Sequence, residues 1–180
     1  MALYSSSVEY GLHCLLYLAM GPENAESKAT SVDLAEIQGV SASYVAKLFT
    51  RLKNGGIVNA TEGASGGYQL ARPSNAITML EIIDALEDRK HLFLCRDIRH
   101  RCALFGSTPP TWATKGVCSI HAVMLEAEQQ MRQTLKQHTL ADVAAKVGRK
   151  APKAFSAEVS AWFDDRSKGK APTAATRRAR

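Results

Sequence analysis

Two features of membrane and secreted proteins are missing from the sequence. No uncharged run approaches the roughly 20 residues that a helix needs to span a bilayer, and the N-terminus has no basic segment followed by a small-residue cleavage site. We therefore expect a cytoplasmic protein with no signal peptide and no membrane partner. Thiols are reduced in that compartment, so the four cysteines are expected to be metal ligands or redox groups rather than disulfides.

Signatures of common enzyme classes are also missing. The chain has no phosphate-binding loop, no nucleophile elbow and no complete zinc-protease motif. A hydrolase built on a Glu/His metal pair is the rival enzyme hypothesis, and no further motif favours it. We predict that the protein is not an enzyme.

Most of the chain has no surplus of either charge. Residues 1–147 hold 14 Lys/Arg and 14 Asp/Glu, whereas residues 148–180 hold nine Lys/Arg and three Asp/Glu. The net charge of +6 therefore belongs to the tail. It is weak evidence about what the rest of the chain binds.

The stretch from Ser31 to Pro73 predicts two short helices, a tight turn and a β-hairpin. Ser31 can cap the first helix, and Gly39 ends it where the turn needs a residue that tolerates positive φ. Ser41 is the N-cap candidate of the second helix. The apolar residues of that helix recur at helical spacing and are predicted to face inward; they are Val45, Leu48, Phe49 and Leu52.

The second helix is followed by a predicted wing. Residues 57–61 and 68–72 alternate as two strands around a Gly-rich turn. Helix, turn, helix and wing form a DNA-binding module whose second helix lies in the major groove. Residues 37–61 contain three cations and no acid, which favours phosphate contact over the alternative of an ordinary solvated basic surface. The predicted DNA contacts are Ser41, Ser43, Tyr44, Lys47, Thr50, Arg51, Lys53, Ser65 and Gly66.

An apolar helix is predicted before this module, from Ser7 onward, in the segment SVEYGLHCLLYLAM. Glu9 and His13 are spaced i, i+4, so both side chains lie on one face, within reach of a single metal ion. Taken singly, each residue has an ordinary alternative: His13 as a hydrogen-bonded core histidine and Glu9 as a surface acid.

Residues 89–118 lose helical periodicity and contain Cys95, Cys102 and Cys118. A loop of this length in a compact protein is usually functional or disordered. Cys118 stands at the start of a predicted long helix, for which Ser119 is the N-cap candidate. The helix dipole favours the thiolate form of a cysteine at that position.

The long helix is predicted to reach about Gln137 and to carry an apolar seam of roughly coiled-coil spacing. We interpret the seam as a dimer interface, because palindromic operators suit two-fold proteins. The alternative is one more helix packed within a monomer. The seam consists of Ile120, Val123, Met124, Ala127, Met131 and Leu135.

The predicted fold class is mostly α: a winged helix-turn-helix with a β-hairpin wing and a long C-terminal dimerisation helix. Residues 1–88 are predicted to form the DNA-binding domain and 89–118 a cysteine-containing sensor loop. Residues 119–147 are predicted to form the dimerisation helix and a short packing helix. The remaining 148–180 are predicted to be a basic, partly disordered tail, with a helix over 154–165 and disorder from Arg166.

Four segments together resemble the Rrf family of bacterial transcription regulators. They are the N-terminal helix, the string VSASYVAKLFTRLKNGGIV with the wing string GASGGYQLARP, the string ITMLEIIDALE, and the cysteine loop before a long helix. The resemblance covers about Met1 to Val147. It implies a winged-helix homodimer, held together by the long helix, that often carries an iron–sulfur cluster.

The cysteine spacing differs from that of most cluster-binding members, which bunch three cysteines closely. Here 15 residues lie between Cys102 and Cys118. The strings VEYGLHC, FLCRDIRHR and VCSIHAVM instead resemble the RsrR branch of the family. That resemblance implies a [2Fe–2S] cluster held by Cys95 and Cys118 of one chain and by Glu9 and His13 of the partner chain, with Cys102 as a possible substitute ligand.

Two positions of the DNA-binding module depart from the IscR pattern of the family. Glu62 stands in the wing where IscR has an arginine that enters the minor groove, and Ala46 replaces a base-reading acid. An acid is repelled in the minor groove, which disfavours minor-groove reading by this wing, and the operator preference is expected to differ.

The resulting hypothesis is a homodimeric regulator that binds promoter DNA, with a palindromic operator, according to the redox state or presence of a [2Fe–2S] cluster. The alternative is a family member without a cluster that senses thiol oxidation, through Cys95 or Cys102, or a small molecule.

Overall fold

The computed structural model describes residues 3–21, 28–63, 66–87 and 91–169. Over these residues it is mostly helical with a two-stranded antiparallel hairpin, which confirms the predicted fold class. In chain order the helices and strands are α1 (Ser6–Met20), α2 (Ser31–Gln38), α3 (Ala42–Asn54), β1 (Val58–Thr61), β2 (Gly67–Leu70), α4 (Met79–Leu86), α5 (Thr111–Thr114), α6 (Ser119–Gln137), α7 (Leu140–Lys150) and α8 (Phe155–Gly169).

The chain divides into two compact units. The first comprises residues 1–88 and 136–180, and the second comprises residues 89–135. The first unit contains α1 to α4, the hairpin, α7 and α8, and the second contains α5 and most of α6. Within the described residues, none of the helices is both long and apolar enough to cross a membrane.

The core of the first unit is built on one side of α3. The four residues predicted to face inward are all buried, with exposed fractions of at most 2%. Helix α3 contacts α1, α2 and α4, whose side chains Leu15, Leu34 and Leu86 are also fully buried. The helical periodicity of the sequence therefore predicts correctly which side of α3 is covered.

The cap of α2 differs from the prediction: Thr30, not Ser31, is its N-cap. The Thr30 hydroxyl accepts a hydrogen bond from the Asp33 N–H at 3.2 Å, and the Asp33 carboxylate accepts one from the Thr30 N–H at 2.8 Å. This reciprocal pair satisfies two backbone donors. Ser31 cannot form such a pair because the residue three positions after it is Leu34. The predicted roles of Gly39 (φ 66°) in ending α2 and of Ser41 in capping α3 are confirmed.

The wing is fixed to α3. Its strands pair from Val58 opposite Leu70 to Thr61 opposite Gly67. The first strand begins one residue later than predicted, and the second begins one residue earlier and ends two residues earlier. On the edge of β2 that does not face β1, the backbones of Tyr68 and Ala29 form two hydrogen bonds, of 2.8 and 3.1 Å. The Tyr68 ring lies 4.6 Å, centroid to centroid, from that of Phe49. The hairpin and α3 therefore share one aromatic contact.

The last two helices belong to the first unit. Between α4 and α7, the Met79 N–H donates to the His138 carbonyl and the Leu140 N–H to the Ile77 carbonyl, at 2.8 and 2.9 Å. Helix α8 packs against α1 and buries Val159 and Phe163.

Disorder was expected from Arg166, and this is wrong for the start of that segment. Arg166 lies within α8, 3.3 Å from the centre of the Trp162 ring, and forms a 2.9 Å ion pair with Glu36 of α2. These contacts hold the helix beyond the last apolar residue. Residues 170–180 of the predicted tail lie outside the described residues.

Replacing Phe49 with alanine is expected to lower the free energy of unfolding by about 3–5 kcal/mol. The side chain is fully buried and contacts the wing through Tyr68, so its removal leaves a cavity in the core of the first unit. Urea denaturation would measure the loss. The matched control is Thr50→Ala at the next, exposed position, where a change within about 0.5 kcal/mol is expected. Equal losses of unfolding free energy in the two variants would contradict the assignment of Phe49 to the core.

Candidate DNA-binding surface and thiol site

The outward side of α3 carries short polar groups and two free cations. Ser43, Lys47, Thr50 and Lys53 are all exposed. Lys47 and Lys53 make no hydrogen bond or ion pair with any residue that the structure describes, so both ammonium groups are available to phosphate oxygens. The structure therefore places these predicted contacts together on one accessible surface.

Three other predicted contacts have partners within the first unit. The Tyr44 hydroxyl donates to the Ser7 Oγ of α1 at 3.3 Å, and its ring meets that of Tyr10 edge-on. The Arg51 Nη1 donates to the Leu86 carbonyl of α4 at 2.6 Å. The exposed Ser41 caps α3 by accepting from the Tyr44 N–H. Tyr44 and Arg51 thus contact other helices, whereas the partners of Ser43 and Thr50 lie within α3 or at its cap.

A polar cleft of about 420 Å³ lies between the end of α3, the start of α2 and the wing. Thr50, Lys53 and Gly66 line it, as predicted DNA contacts, and so do residues outside that predicted set. Those are Thr30, Ser31, Asn54, Ala60, Thr61, Glu62, Gly63, Gly67 and Tyr68. The capping motif was a signal for Thr30 and Ser31 alone, because the first N–H groups of a helix attract anions. The predicted contact Ser65 lies outside the described residues.

Cys95 and Cys118 line one small pocket of about 250 Å³ in the second unit. Cys102 is half-buried and is not among the residues that line it. The structure therefore brings together the two loop cysteines that are farthest apart in sequence.

Cys118 occupies the cap position of α6, where Ser119 was predicted. Backbone N–H groups of His121 and Ile120 and the positive charge of Arg99 lower the pKa of the Cys118 thiol. A sulfur that accepts these hydrogen bonds is stabilised as a thiolate, which is the form that binds metals and attacks oxidants.

Arg99 is a residue of this site that sequence reasoning missed. Its Nε donates to Asp97 at 2.6 Å and its Nη2 donates to the Gly116 carbonyl at 3.1 Å, so it joins the two ends of the loop that carry Cys95 and Cys118. Asp97 has a left-handed backbone (φ 46°, ψ 48°), and hydrogen bonding to Arg99 lowers the pKa of its carboxyl group. The three arginines that follow Cys95 within six residues were the available signal.

Glu9 and His13 are exposed and line a second pocket, of about 530 Å³, in the first unit. Its remaining walls are largely apolar, with Leu12 and Leu16 of α1, Met79 of α4, and Leu140 and Val143 of α7 among them. The carboxylate and the imidazole thus lie one helical turn apart at the edge of an apolar recess.

The four predicted ligands are of types that can bind a [2Fe–2S] cluster, but they lie in two separate pockets. Two thiols lie in one pocket, and a carboxylate and an imidazole lie in another. Among the described residues of a single chain, no group of three or more His, Cys, Asp or Glu side chains is placed to hold a metal ion. Each pair could supply half of a four-ligand site.

The second unit exposes most of the large apolar side chains found at the surface. Those with more than half of their area exposed in this unit are Leu94, Ile98, Leu104, Trp112, Val117, Ile120 and Val123. Ile120 and Val123 belong to the predicted seam of α6, and they are 68% and 64% exposed. Exposed apolar side chains of this kind are candidates for contact with another protein.

In metal-free protein, Cys118 is expected to react with iodoacetamide at lower pH than the same cysteine in the unfolded chain. Its lowered pKa populates the thiolate earlier as the pH rises. Cys14 is expected to stay unreactive, because it is fully buried and burial raises its pKa to about 12. Peptide mass spectrometry across a pH series measures both rates. A Cys118 profile that does not shift on unfolding in guanidinium would contradict the helix-cap geometry.

Comparison with known proteins identifies relatives along most of the chain. Residues 4–146 match the family model described as "Rrf2: Iron-dependent Transcriptional regulator". The protein rrf2 of Nitratidesulfovibrio vulgaris is 33% identical over 134 residues, which cover 74% of this chain and 81% of that protein.

Two solved structures share the fold. CymR, the global cysteine regulator of B. subtilis, superposes with a TM-score of 0.62 at 23% identity and covers 81% of this chain and 98% of its own. IscR of T. potens superposes with a TM-score of 0.61 at 24% identity and covers 84% and 92%. Both likenesses support the winged-helix architecture.

Proposed function

The chain belongs to the Rrf2 family and is a DNA-binding transcription regulator; on that basis we propose that it acts as a cytoplasmic homodimer whose promoter binding responds to the redox state or presence of a [2Fe–2S] cluster. The observation that carries the cluster proposal is the placement of Cys95 and Cys118 in one pocket.

DNA is bound through the outward side of α3. Lys47 and Lys53 supply phosphate contacts, while the exposed Ser43 and Thr50 have the size to approach base edges in the major groove. Lys53 also lines the polar cleft beside the wing, where its ammonium can meet a further phosphate. Glu62 lines the same cleft, and its negative charge disfavours entry of the wing into the minor groove.

Cys95 and Cys118 of one chain and Glu9 and His13 of its partner would hold the cluster. A bound cluster supplies a one-electron redox change, and its potential depends on the ligand set and on hydrogen bonds to sulfur. Arg99 holds the two cysteine-bearing ends of the loop together through its hydrogen bonds to Asp97 and to the Gly116 carbonyl. The N–H groups at the start of α6 favour the thiolate of Cys118.

We propose that a second copy of the chain packs on α6 and buries its exposed apolar residues. Ile120 and Val123 lie three residues apart on one side of the helix, at the spacing by which helices pair. A two-fold dimer presents two α3 helices and therefore suits a palindromic operator.

The second candidate function is a cluster-free thiol switch, and the lowered pKa of Cys118 favours it. A peroxide could oxidise the Cys118 thiolate to a sulfenic acid, its O–O bond breaking to release water, and the sulfenic acid could then condense with the Cys95 thiol to a disulfide, releasing a second water. Colour discriminates the two proposals, because a cluster absorbs visible light and thiols do not.

Anaerobically purified protein is expected to be brown and to contain iron and sulfide in equal amounts. To test the ligand assignment, His13→Ala and Cys118→Ser chains should be co-expressed with different tags and the heterodimer isolated. Each variant homodimer lacks a ligand at both sites, whereas the heterodimer has one complete site if Cys and His come from different chains. Recovery of one cluster per heterodimer is the expected result.

A heterodimer without iron would contradict ligation across the two chains. Protein that stays colourless after reconstitution with iron and sulfide would overturn the cluster proposal and leave the thiol switch. Circular dichroism and gel filtration of each homodimer are the controls, because loss of iron is informative only in a folded dimer.

Lys47→Met is expected to weaken binding to every DNA sequence by a similar factor. The slope of log affinity against log salt should fall by about 0.9 for each phosphate that the protein no longer neutralises. Fluorescence anisotropy with a selected duplex and a scrambled duplex measures both quantities. The matched control is Lys136→Met near the end of α6, outside the helix-turn-helix, where no change in slope is expected. An unchanged slope for Lys47→Met would contradict its role.

A further inference from the structure

Two carboxylates are buried among the residues that the structure describes, and they have different roles. Asp33 completes the capping box of α2. Glu128 lies in the middle of α6, away from both helix ends, and is only 3% exposed. A buried carboxylate needs hydrogen-bond donors to offset the loss of water. The donors at Glu128 therefore indicate what this side chain holds in place.

Glu128 contacts residues near the start of the cysteine loop. Its Oε2 accepts a 3.2 Å hydrogen bond from the Leu92 N–H and lies 3.4 Å from the His91 Nδ1. The side chains of Leu92 and Phe93 are 38% and 37% exposed, so apolar burial holds this stretch only weakly. We therefore expect the contacts with Glu128 to anchor it on α6.

The anchored stretch leads along α6 to the thiol pocket. The ring of Phe93 lies 6.1 Å, centroid to centroid, from that of His121. Phe93 also lines the pocket that contains Cys95 and Cys118. Positions 92, 93 and 95 of the loop thus meet α6 at positions 128, 121 and 118 in turn. The loop therefore begins antiparallel to the helix and arrives at its cap.

The lengths of the two segments leave little slack between the cysteines. Cys118 and Glu128 are ten residues apart on the helix, which is about 15 Å of helix axis. Leu92 and Cys95 are three residues apart in the loop, which spans at most about 10 Å. A glutamate side chain leans toward the N-terminus of its helix and shortens the gap. An attachment at Leu92 therefore limits how far Cys95 can lie from Cys118.

We propose that Glu128 is a positioning residue for the thiol pair: it holds residues 91–95 along α6 and so keeps the Cys95 sulfur close to the Cys118 sulfur. All of these residues lie in the second compact unit. Arg99 joins the two ends of the loop to each other, whereas Glu128 attaches the first of them to the helix. The inference deepens the proposed function and rests on it, because the cluster and the thiol switch both use this pair of cysteines.

The test measures the effective concentration of the two thiols in metal-free, full-length protein at equilibrium with reduced and oxidised glutathione. The Cys118 thiolate attacks glutathione disulfide and releases one glutathione, and the Cys95 thiolate then displaces the second to form the intramolecular disulfide. Acid quenching, alkylation and peptide mass spectrometry give the disulfide fraction. Every chain carries Cys102→Ser, so that a single disulfide can form within the loop.

Glu128→Met is expected to lower the effective concentration by about tenfold, the factor that corresponds to losing one hydrogen bond to a charged group. The matched control is Glu126→Met, at an exposed position of the same helix, where no change is expected. Glu128→Gln keeps an acceptor for the Leu92 N–H and is expected to restore most of the wild-type value. Equal values in wild type and Glu128→Met, or equal losses at positions 126 and 128, would overturn the proposal.

Glu128→Asp is the second variant, should the methionine variant fail to fold. It keeps the charge but is one methylene shorter, so it cannot hold Leu92 in the same place. A lowered effective concentration supports the positioning role, and a wild-type value overturns it. A wild-type chain that forms only mixed disulfides with glutathione would also overturn it. Wild-type protein that stays colourless after reconstitution overturns the cluster proposal and leaves the thiol measurement intact, which separates the two failures.

Discussion

Burial of one side of α3 determines where the other functional features lie. Because Val45, Leu48, Phe49 and Leu52 are covered by neighbouring helices, the opposite side of the same helix must face outward. That geometry exposes Lys47. It also brings Phe49 against Tyr68, so the wing is held by the same core that orients the helix. The proposed DNA-binding surface, made of α3 and the wing, is thus fixed by a single packed interface, and neither element needs to be stable by itself.

Much of this arrangement could be predicted from the sequence because it is local. Apolar residues at helical spacing identify the buried side of α3, and Gly39 and Ser41 mark the turn before it. The N-cap of α2 was predicted one residue too late, at Ser31. Thr30 is the better cap because the residue three positions after it, Asp33, is an acid that completes the capping box. Arg51 and Tyr44 could not be placed, because their partners lie 35 and 37 residues away in the chain. Exposed polar positions on a helical wheel do not reveal such contacts.

The thiol site was predictable in composition but not in geometry. A segment without periodicity carries no signal for which of Cys95, Cys102 and Cys118 come together, and family resemblance alone selected the outer two. The pocket they line depends on Arg99, which joins Asp97 to the carbonyl of Gly116 across the loop. Cys118 at the cap position, where a serine was expected one residue later, replaces an ordinary hydroxyl cap with a sulfur whose pKa is lowered by the same N–H groups.

Helix α1 links the proposed ligand pair to DNA recognition within the first unit. Glu9 and His13 face the apolar recess, while Ser7 and Tyr10 on the same helix contact Tyr44 of α3. A helix of this length is stiff, so restraining its Glu9–His13 side also restrains the residues that hold Tyr44. Charge alone could not carry such an effect far, because salt screens exposed charges beyond about 8 Å. Ligation at α1 would therefore influence DNA binding through packing, and the contacts that matter are those between α1 and α3.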